Sequence, residues 1–304
     1  MKRFLTRTAL ILLPLIAFLI VCEFTYRRVD NDYKYKNDWL LNNSPSIQVL
    51  NLGSSHAYYG IDPEQFDLHA FNAAHVSQDF HYDAFIFDKF FDEMDSLEYL
   101  VLPVSYRSPW YKIESNDEHW RITQYYIYYD CPFHNELKYK VKINNGLQLY
   151  RAIKNLFFDI NDRACSDLGQ GQQFQYSNRV GNLDVVGQKR VMCHTFKLDD
   201  DIYSWNYSLV TEIIEKCHLR GVKVILLTTP VFISYRTNAN PEQVEKMFVF
   251  CKTLTEAYDN VTYLNLWEDS RFDEEDFYDS DHLSCDRGAV KLSKILNEYI
   301  MSMR

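Results

Sequence analysis

Three observations place the chain in the α/β class, as a doubly wound three-layer α/β/α domain around a mostly parallel five-stranded sheet. Four short apolar runs, at 47–52, 98–104, 222–229 and 261–266, have the length and composition of buried strands, and the more polar 67–73 is a plausible short second strand. Amphipathic segments lie between them, the alternation that a parallel sheet with crossover helices requires. The first run closes on Gly53-Ser54-Ser55, and open sheets of this kind place their chemistry at the carboxyl ends of strands.

Taken in order, the chain opens with Lys2, Arg3 and Arg7, followed by an uncharged run over 8–22. A spanning helix needs about 20 residues, and a snorkelling Arg7 lets 4–22 cross a thin bilayer. No small-x-small cleavage pattern follows, so 1–24 reads as an uncleaved signal anchor rather than a signal peptide. The positive-inside rule then puts the main domain outside the cytoplasm, on a single-pass membrane protein. Residues 25–45 are polar, tyrosine-bearing and aperiodic, which suits a stalk, and 46–304 form the α/β domain. After the second strand Ser77 caps a helix with Phe80, Ala84, Phe87, Phe91 and Met94 on one face.

The pattern weakens over about 105–204, which reads as an insertion. Tyr106, Trp110, Tyr111, Trp120, Tyr125, Tyr126, Tyr128 and Tyr129 crowd its first part. They fit either a platform for sugar rings or a satellite hydrophobic cluster. Order returns with Trp205, Leu209, Ile213 and Cys217 on a helix that Gly221 stops, then with a helix opened by Asn240-Pro241. A last helix covers 286–300.

A net charge of −10 argues against nucleic acid as a partner, because phosphate binding needs a basic stripe. Seven cysteines include no C-x-x-C pair, so neither a zinc nor a thioredoxin-type site is expected. Cys217 and Cys251 fall on apolar helix faces as buried thiols. No cofactor is expected either; a flavodoxin-like ligand binder would want a glycine-rich phosphate loop after the first strand, and none is there.

Chemistry concentrates in two short stretches, Gly53-Ser54-Ser55-His56 and Asp279-Ser280-Asp281-His282. Serine is a poor nucleophile without a base that a third group orients. An aspartate three residues before a histidine in one loop can hold the imidazole in one tautomer, leaving the other nitrogen to take the serine proton. Asp281 rivals Asp279, but its adjacency to His282 makes it hard to fold back on the ring. His56 reads as a structural or substrate-contacting residue, His75 and His81 as surface residues near a helix start, and Tyr278 as part of the site wall.

These two stretches together resemble the SGNH/GDSL hydrolase superfamily over roughly 46–104 and 205–300. The resemblance implies Ser55 as nucleophile, Asp279 as orienting carboxylate and His282 as base. Serine at Ser54, where aspartate is usual, resembles the membrane-anchored branches associated with acylation of envelope polymers. Family members also supply a glycine after the second strand and an asparagine after the third as oxyanion donors. Here those places read Asn72-Ala73-Ala74-His75 and Pro103-Val104-Ser105-Tyr106. The Ser55 amide, Gly53, Asn72, Ser105 and His56 are left as oxyanion or substrate-binding candidates. The implied function is O-acyl transfer or ester hydrolysis on a cell-envelope or secreted polysaccharide. Its partners would be the membrane, an acylated glycan or small ester, and polysaccharide-assembly proteins. The alternative is a catalytically silent module that binds glycan or scaffolds an assembly complex.

Overall fold

The computed structural model describes residues 1–158 and 160–304; for Lys2, whose charge enters the orientation reading, it describes the backbone alone. All five expected stretches form strands: β1 (Val49–Asn51), β2 (Ala70–Asn72), β3 (Tyr99–Pro103), β4 (Lys223–Thr228) and β5 (Val261–Asn265). They lie in the order β2-β1-β3-β4-β5, and every neighbouring pair is parallel. Each strand is shorter than the stretch that predicted it, β1 and β2 chiefly at their amino ends. Leu52 N–H still donates to Val101 O at 3.1 Å and Val104 N–H to Leu227 O at 2.8 Å as the chain leaves the sheet.

The central strands are covered on both faces, which is why they read as continuous rather than alternating apolar runs. Val49, Leu50, Val101, Leu102, Ile225 and Leu226 are fully shielded from solvent. β5, at an edge, is half-exposed. The helices Phe80–Phe90, Asp200–Leu219 and Pro241–Ala257 meet through rings: Phe80 stacks on Phe250 at 5.8 Å, and Tyr203 and Tyr207 point their edges at Phe250 from 5.5 and 5.4 Å. The short helix Ser55–Gly60 packs against the last helix, Gly288–Ser302, and helices cover both sides of the sheet.

Local signals explain the helix ends, with one correction. Asp79, not Ser77, caps the Phe80–Phe90 helix, its carboxylate accepting from Tyr82 N–H at 3.1 Å. Ser77 instead takes φ +60°, because the loop must turn sharply between β2 and this helix. Gly221 adopts φ +70° and stops the Asp200–Leu219 helix, and Asn240-Pro241 opens the next. The final helix begins at Gly288, two residues later than the sequence indicated.

The chain divides into two compact units, residues 1–37 with 117–163, and residues 38–116 with 164–304. The first contains the helix Lys2–Arg27, long and apolar enough to cross a membrane. Its carboxyl end is held by packing: Cys22, Tyr26 and Val29 close around Ala152 of the helix Gly146–Asn155, and the Tyr26 hydroxyl donates to Gln148 Oε1 at 2.7 Å. The stretch 25–45, aperiodic in sequence, is helical to Arg27 and again over Asp32–Asn43. Tyr125 and Tyr129 are wholly buried in this unit, while Trp120 is 40% exposed.

The second unit contains the whole sheet. Its Tyr106, Trp110 and Tyr111 are buried, so of the two readings of the aromatic stretch the hydrophobic cluster describes these rings. Of the seven cysteines all but Cys193 are buried. Cys217 and Cys251 are buried thiols, as their helix positions implied.

Candidate active site

The carboxyl end of β1 turns at Gly53, whose φ of +111° only glycine adopts without strain. A Cβ there would also press on Pro103 of β3, 3.1 Å from its Cδ. The turn is pinned from below: Gly53 N–H donates to Asp83 Oδ1 at 2.7 Å, and Gly53 O accepts from His75 N–H at 3.2 Å. Ser54 then precedes the helix Ser55–Gly60, whose first residue is Ser55.

The Asp279–His282 loop arrives at the same place. Asp279 Oδ1 accepts from the amides of Asp281 (3.0 Å) and His282 (2.8 Å), a local turn that the three-residue spacing allows. The loop is tied to the segment after β4 by Phe232 N–H donating to Ser280 O at 2.9 Å. His282 Nε2 lies 2.8 Å from Ser55 Oγ. Its Nδ1 lies 3.0 and 3.1 Å from the two Asp279 oxygens. Ser55, His282 and Asp279 are all buried, at 6%, 3% and 6% exposure. Residues 227 positions apart thus meet in the order that serine activation needs.

Asp281 faces elsewhere. Its Oδ1 is 3.6 Å from His282 Nδ1 but 2.8 Å from Arg190 Nε, and its Oδ2 is 3.4 Å from His56 Nε2 and 3.6 Å from His194 Nδ1. Burial opposes its ionisation; His282 and the Arg190 guanidinium outweigh that and hold its carboxyl well below the usual range. Burial pushes His56 down and His194 well down, so both imidazoles are neutral at pH 7. His56 stacks on His282 at 4.9 Å and its Nδ1 lies 3.3 Å from Ser54 Oγ. Donor atoms of His56, Asp281 and His282 lie within 4.8 Å of one another, a spacing open to a metal ion, but the Arg190 charge beside Asp281 opposes a second cation there.

The remaining candidates fall out differently. Asn72 is directed away from an oxyanion role: its Nδ2 donates to Ala57 O and Ile61 O, both at 2.8 Å, and its Oδ1 accepts from Ala74 N–H. Its amide is spent holding the turn together. Ser105 N–H donates to Ser108 Oγ at 3.0 Å, and the two hydroxyls share a bond of 2.8 Å. The Ser55 amide, first of its helix, has no intrahelical acceptor. His75 is not a surface residue; it is 1% exposed, because its amide is drawn in to Gly53. His81 is half-buried, 3.8 Å from Glu114.

Four residues at the site carry no sequence signal. Arg190 and His194 come from the helix Leu183–His194 inside the insertion, Tyr235 from Ile233–Asn238, and Arg107 from the segment after β3. Tyr235 OH and His194 Nδ1 are 2.8 Å apart. A wall of stacked rings, Tyr59 on Phe174 at 3.7 Å and Phe174 on Tyr278 at 3.9 Å, stands beside His282, with the Phe174 edge 5.4 Å from the imidazole. Tyr278 therefore packs at the site wall.

Asp83 supports the Gly53 turn from a fully buried position, and burial pushes its carboxyl from the ordinary 3.8 up to about 7. The folded protein thus holds this proton more tightly than the unfolded chain. Its contribution to stability is full below about pH 4 and is lost as pH rises to about 7. Asp83→Asn keeps an acceptor for Gly53 and cannot ionise. It is expected to flatten the fall in melting temperature between pH 4 and 7, measured by thermal melts across that range; an unchanged slope would contradict the assignment.

No family model and no curated protein matches the chain. Among solved structures it is similar to a GDSL-like lipase from Bacteroides thetaiotaomicron VPI-5482, at a TM-score of 0.45 and 11% identity, covering 90% of this chain and 100% of that one. It is also similar to a protein from Bacteroides fragilis NCTC 9343 provisionally described as an acylhydrolase (TM-score 0.42, 10% identity, 88% and 96% covered). A third, from Streptococcus pneumonia and provisionally described as a platelet activating factor, has TM-score 0.41, 14% identity and coverage of 96% and 99%. At these scores and identities the likeness bears no weight on the chemistry, which is read from the side chains.

Proposed function

We propose that the protein is a serine-dependent acyl-ester enzyme of the SGNH/GDSL type. The arrangement that carries this reading is Ser55 Oγ 2.8 Å from His282 Nε2, with Asp279 3.0 Å from the opposite ring nitrogen. With Nδ1–H donated to Asp279, the Nε2 lone pair takes the Ser55 proton as Oγ attacks an ester carbonyl. The imidazolium returns that proton to the leaving alcohol, and an acyl-Ser55 ester remains. Water or an acceptor hydroxyl then attacks the acyl group, its proton passing through His282 to Ser55. The Ser55 amide is the oxyanion donor at hand.

The finer reading is transfer to or from a polysaccharide of the cell envelope, by a protein whose first 24 residues anchor it with the α/β domain outside the cytoplasm. The apolar Lys2–Arg27 helix supports an anchor, and Lys2, Arg3 and Arg7 at its start support that orientation. The ring wall of buried Tyr59 and half-buried Phe174 and Tyr278 supports a sugar or apolar acyl group beside His282. Because the serine and histidine are almost wholly covered, a bound sugar hydroxyl can compete with bulk water by proximity.

The full chain in detergent is accordingly expected to hydrolyse nitrophenyl acetate weakly, with turnover rising when a polysaccharide acceptor is added and the acyl group recovered on the sugar. Brisk hydrolysis indifferent to every glycan would make it a simple esterase. The silent-module reading draws on one observation: Asn72, spent on Ala57 and Ile61, leaves the oxyanion with fewer donors, and each lost donor costs about a hundredfold or more. A chain that binds glycan and turns over no ester would be that module.

A further inference from the structure

The helix Gly146–Asn155 is apolar where a surface helix should be polar. One side of it packs inward: Ala152 closes on Cys22, Tyr26 and Val29, and Ile153 and Leu156 pack against the same cluster. The helical hand continues for a turn past Asn155, since Phe158 N–H donates to Lys154 O at 3.0 Å. Leu147, Tyr150, Lys154 and Phe157 follow one another at three, four and three residues, and Phe158 stands four from Lys154. All five therefore share the outer face. Leu147 is 66% exposed, Tyr150 63%, Phe157 75% and Phe158 64%. The water side of a helix ordinarily carries polar and charged residues, and of these five Lys154 alone is charged. Four large apolar side chains gathered on one outer face mark a surface that meets something other than water.

The attachment of this helix to the Lys2–Arg27 helix says what that is. Glu23 Oε1 and Oε2 accept from the amides of Lys142 and Ile143, both at 2.8 Å. The Tyr26 hydroxyl donates to Gln148 Oε1 at 2.7 Å, and Asn155 Nδ2 donates to Thr25 O at 3.4 Å. Gln148 and Asn155, two turns apart, thus meet adjacent residues, so the second helix crosses the first instead of running along it. The height of the crossing is fixed by the sequence. Glu23 is the first charge after the uncharged run over 8–22. At 1.5 Å per residue, Thr25 and Tyr26 stand about 5–6 Å beyond Cys22. The headgroup layer on each side of the hydrocarbon is roughly 5–7 Å deep. A helix crossing a spanning segment at that height lies along the bilayer surface. Leucine and aromatic rings beside a lysine that can snorkel to phosphate are the composition such helices carry.

We propose that this outer face is a membrane seat: Leu147, Tyr150, Phe157 and Phe158 enter the acyl boundary of the bilayer, and Lys154 pairs with lipid phosphate. All these residues belong to the first compact unit, and the lipid contact fixes the height and tilt of that unit at the membrane. The inference rests on the anchor in the proposed function and deepens it by naming a second lipid contact. It is independent of the chemistry at Ser55.

The test uses the full chain in nanodiscs of phosphatidylcholine and phosphatidylglycerol, with Cys193→Ser removing the exposed thiol. Single spin labels are placed through Leu147→Cys or Phe158→Cys, through Leu12→Cys inside the anchor, and through Lys252→Cys as a water reference. Collision with oxygen, which concentrates in hydrocarbon, is compared with collision with a nickel chelate, which stays in water. The ratio at positions 147 and 158 should favour oxygen at least about threefold more than at 252, as it should at 12. Labels at 147 and 158 as open to the chelate as 252, with 12 protected, overturn the seat and leave the anchor standing. Chelate access at 12 as well removes the anchor and the seat together. Labels shielded from both reagents mark a protein contact, a second copy of the chain included, and also overturn the seat. The unsubstituted chain gives a parallel readout: phosphatidylcholine with a photoactivated diazirine near its glycerol should leave adducts on residues 147–158. Adducts confined to the anchor helix would contradict the proposal.

Discussion

Ser55→Ala is expected to lower turnover of an activated ester by at least about a thousandfold, because in the proposed reaction the hydroxyl is the attacking atom and nothing replaces it. The fold should barely change. Ser55 Oγ bonds to His282, and alanine suits the first turn of the Ser55–Gly60 helix, so the melting temperature should stay within a few degrees. Ser54→Ala is the contrast. Among the described residues Ser54 Oγ reaches His56 Nδ1 alone, at 3.3 Å, and most of the activity should survive its loss. Steady-state hydrolysis and thermal melts on the three proteins decide the point; a Ser55→Ala protein as active as wild type would remove the nucleophile from the account.

Asp279→Asn is the second large effect, with an expected loss of about 10⁴ in kcat. An amide nitrogen turned toward Nδ1 would favour the tautomer with its proton on Nε2, and the amides of Asp281 and His282 would still find an acceptor in Oδ1. Asp281→Asn should differ in kind. It leaves the Asp279–His282 pair in place but takes a buried carboxylate from Arg190, so stability should fall more than activity. Parallel assays and melts of the two variants read this directly. Greater loss of activity in Asp281→Asn than in Asp279→Asn would exchange the roles of the two carboxylates.

Much of this was legible in the sequence because the governing signals are local. Buried parallel strands are short continuous apolar runs, so four of the five stood out while the second lay in a more polar stretch, and an aspartate three residues before a histidine is a spacing that a single turn satisfies. What stayed hidden depends on contacts across the fold. Arg190 lies in an insertion helix whose pattern gives no hint that its guanidinium reaches Asp281. Asp83 looked like one polar position on an amphipathic helix, yet it holds the Gly53 turn. Asn72 lay at the right strand end for an oxyanion donor, and only the backbone carbonyls of Ala57 and Ile61 show that its amide is occupied. Ser77 and Asp79 both suit a cap by residue type; the turn at Ser77 decides for Asp79.

In the proposed reaction His282 activates Ser55 as a nucleophile. The most direct measurement is treatment of the intact protein with a fluorophosphonate, followed by peptide mass mapping of the adduct. The expected result is a single modification on Ser55, absent in His282→Gln. An unmodified protein, or an adduct on Ser54 instead, would contradict the claim.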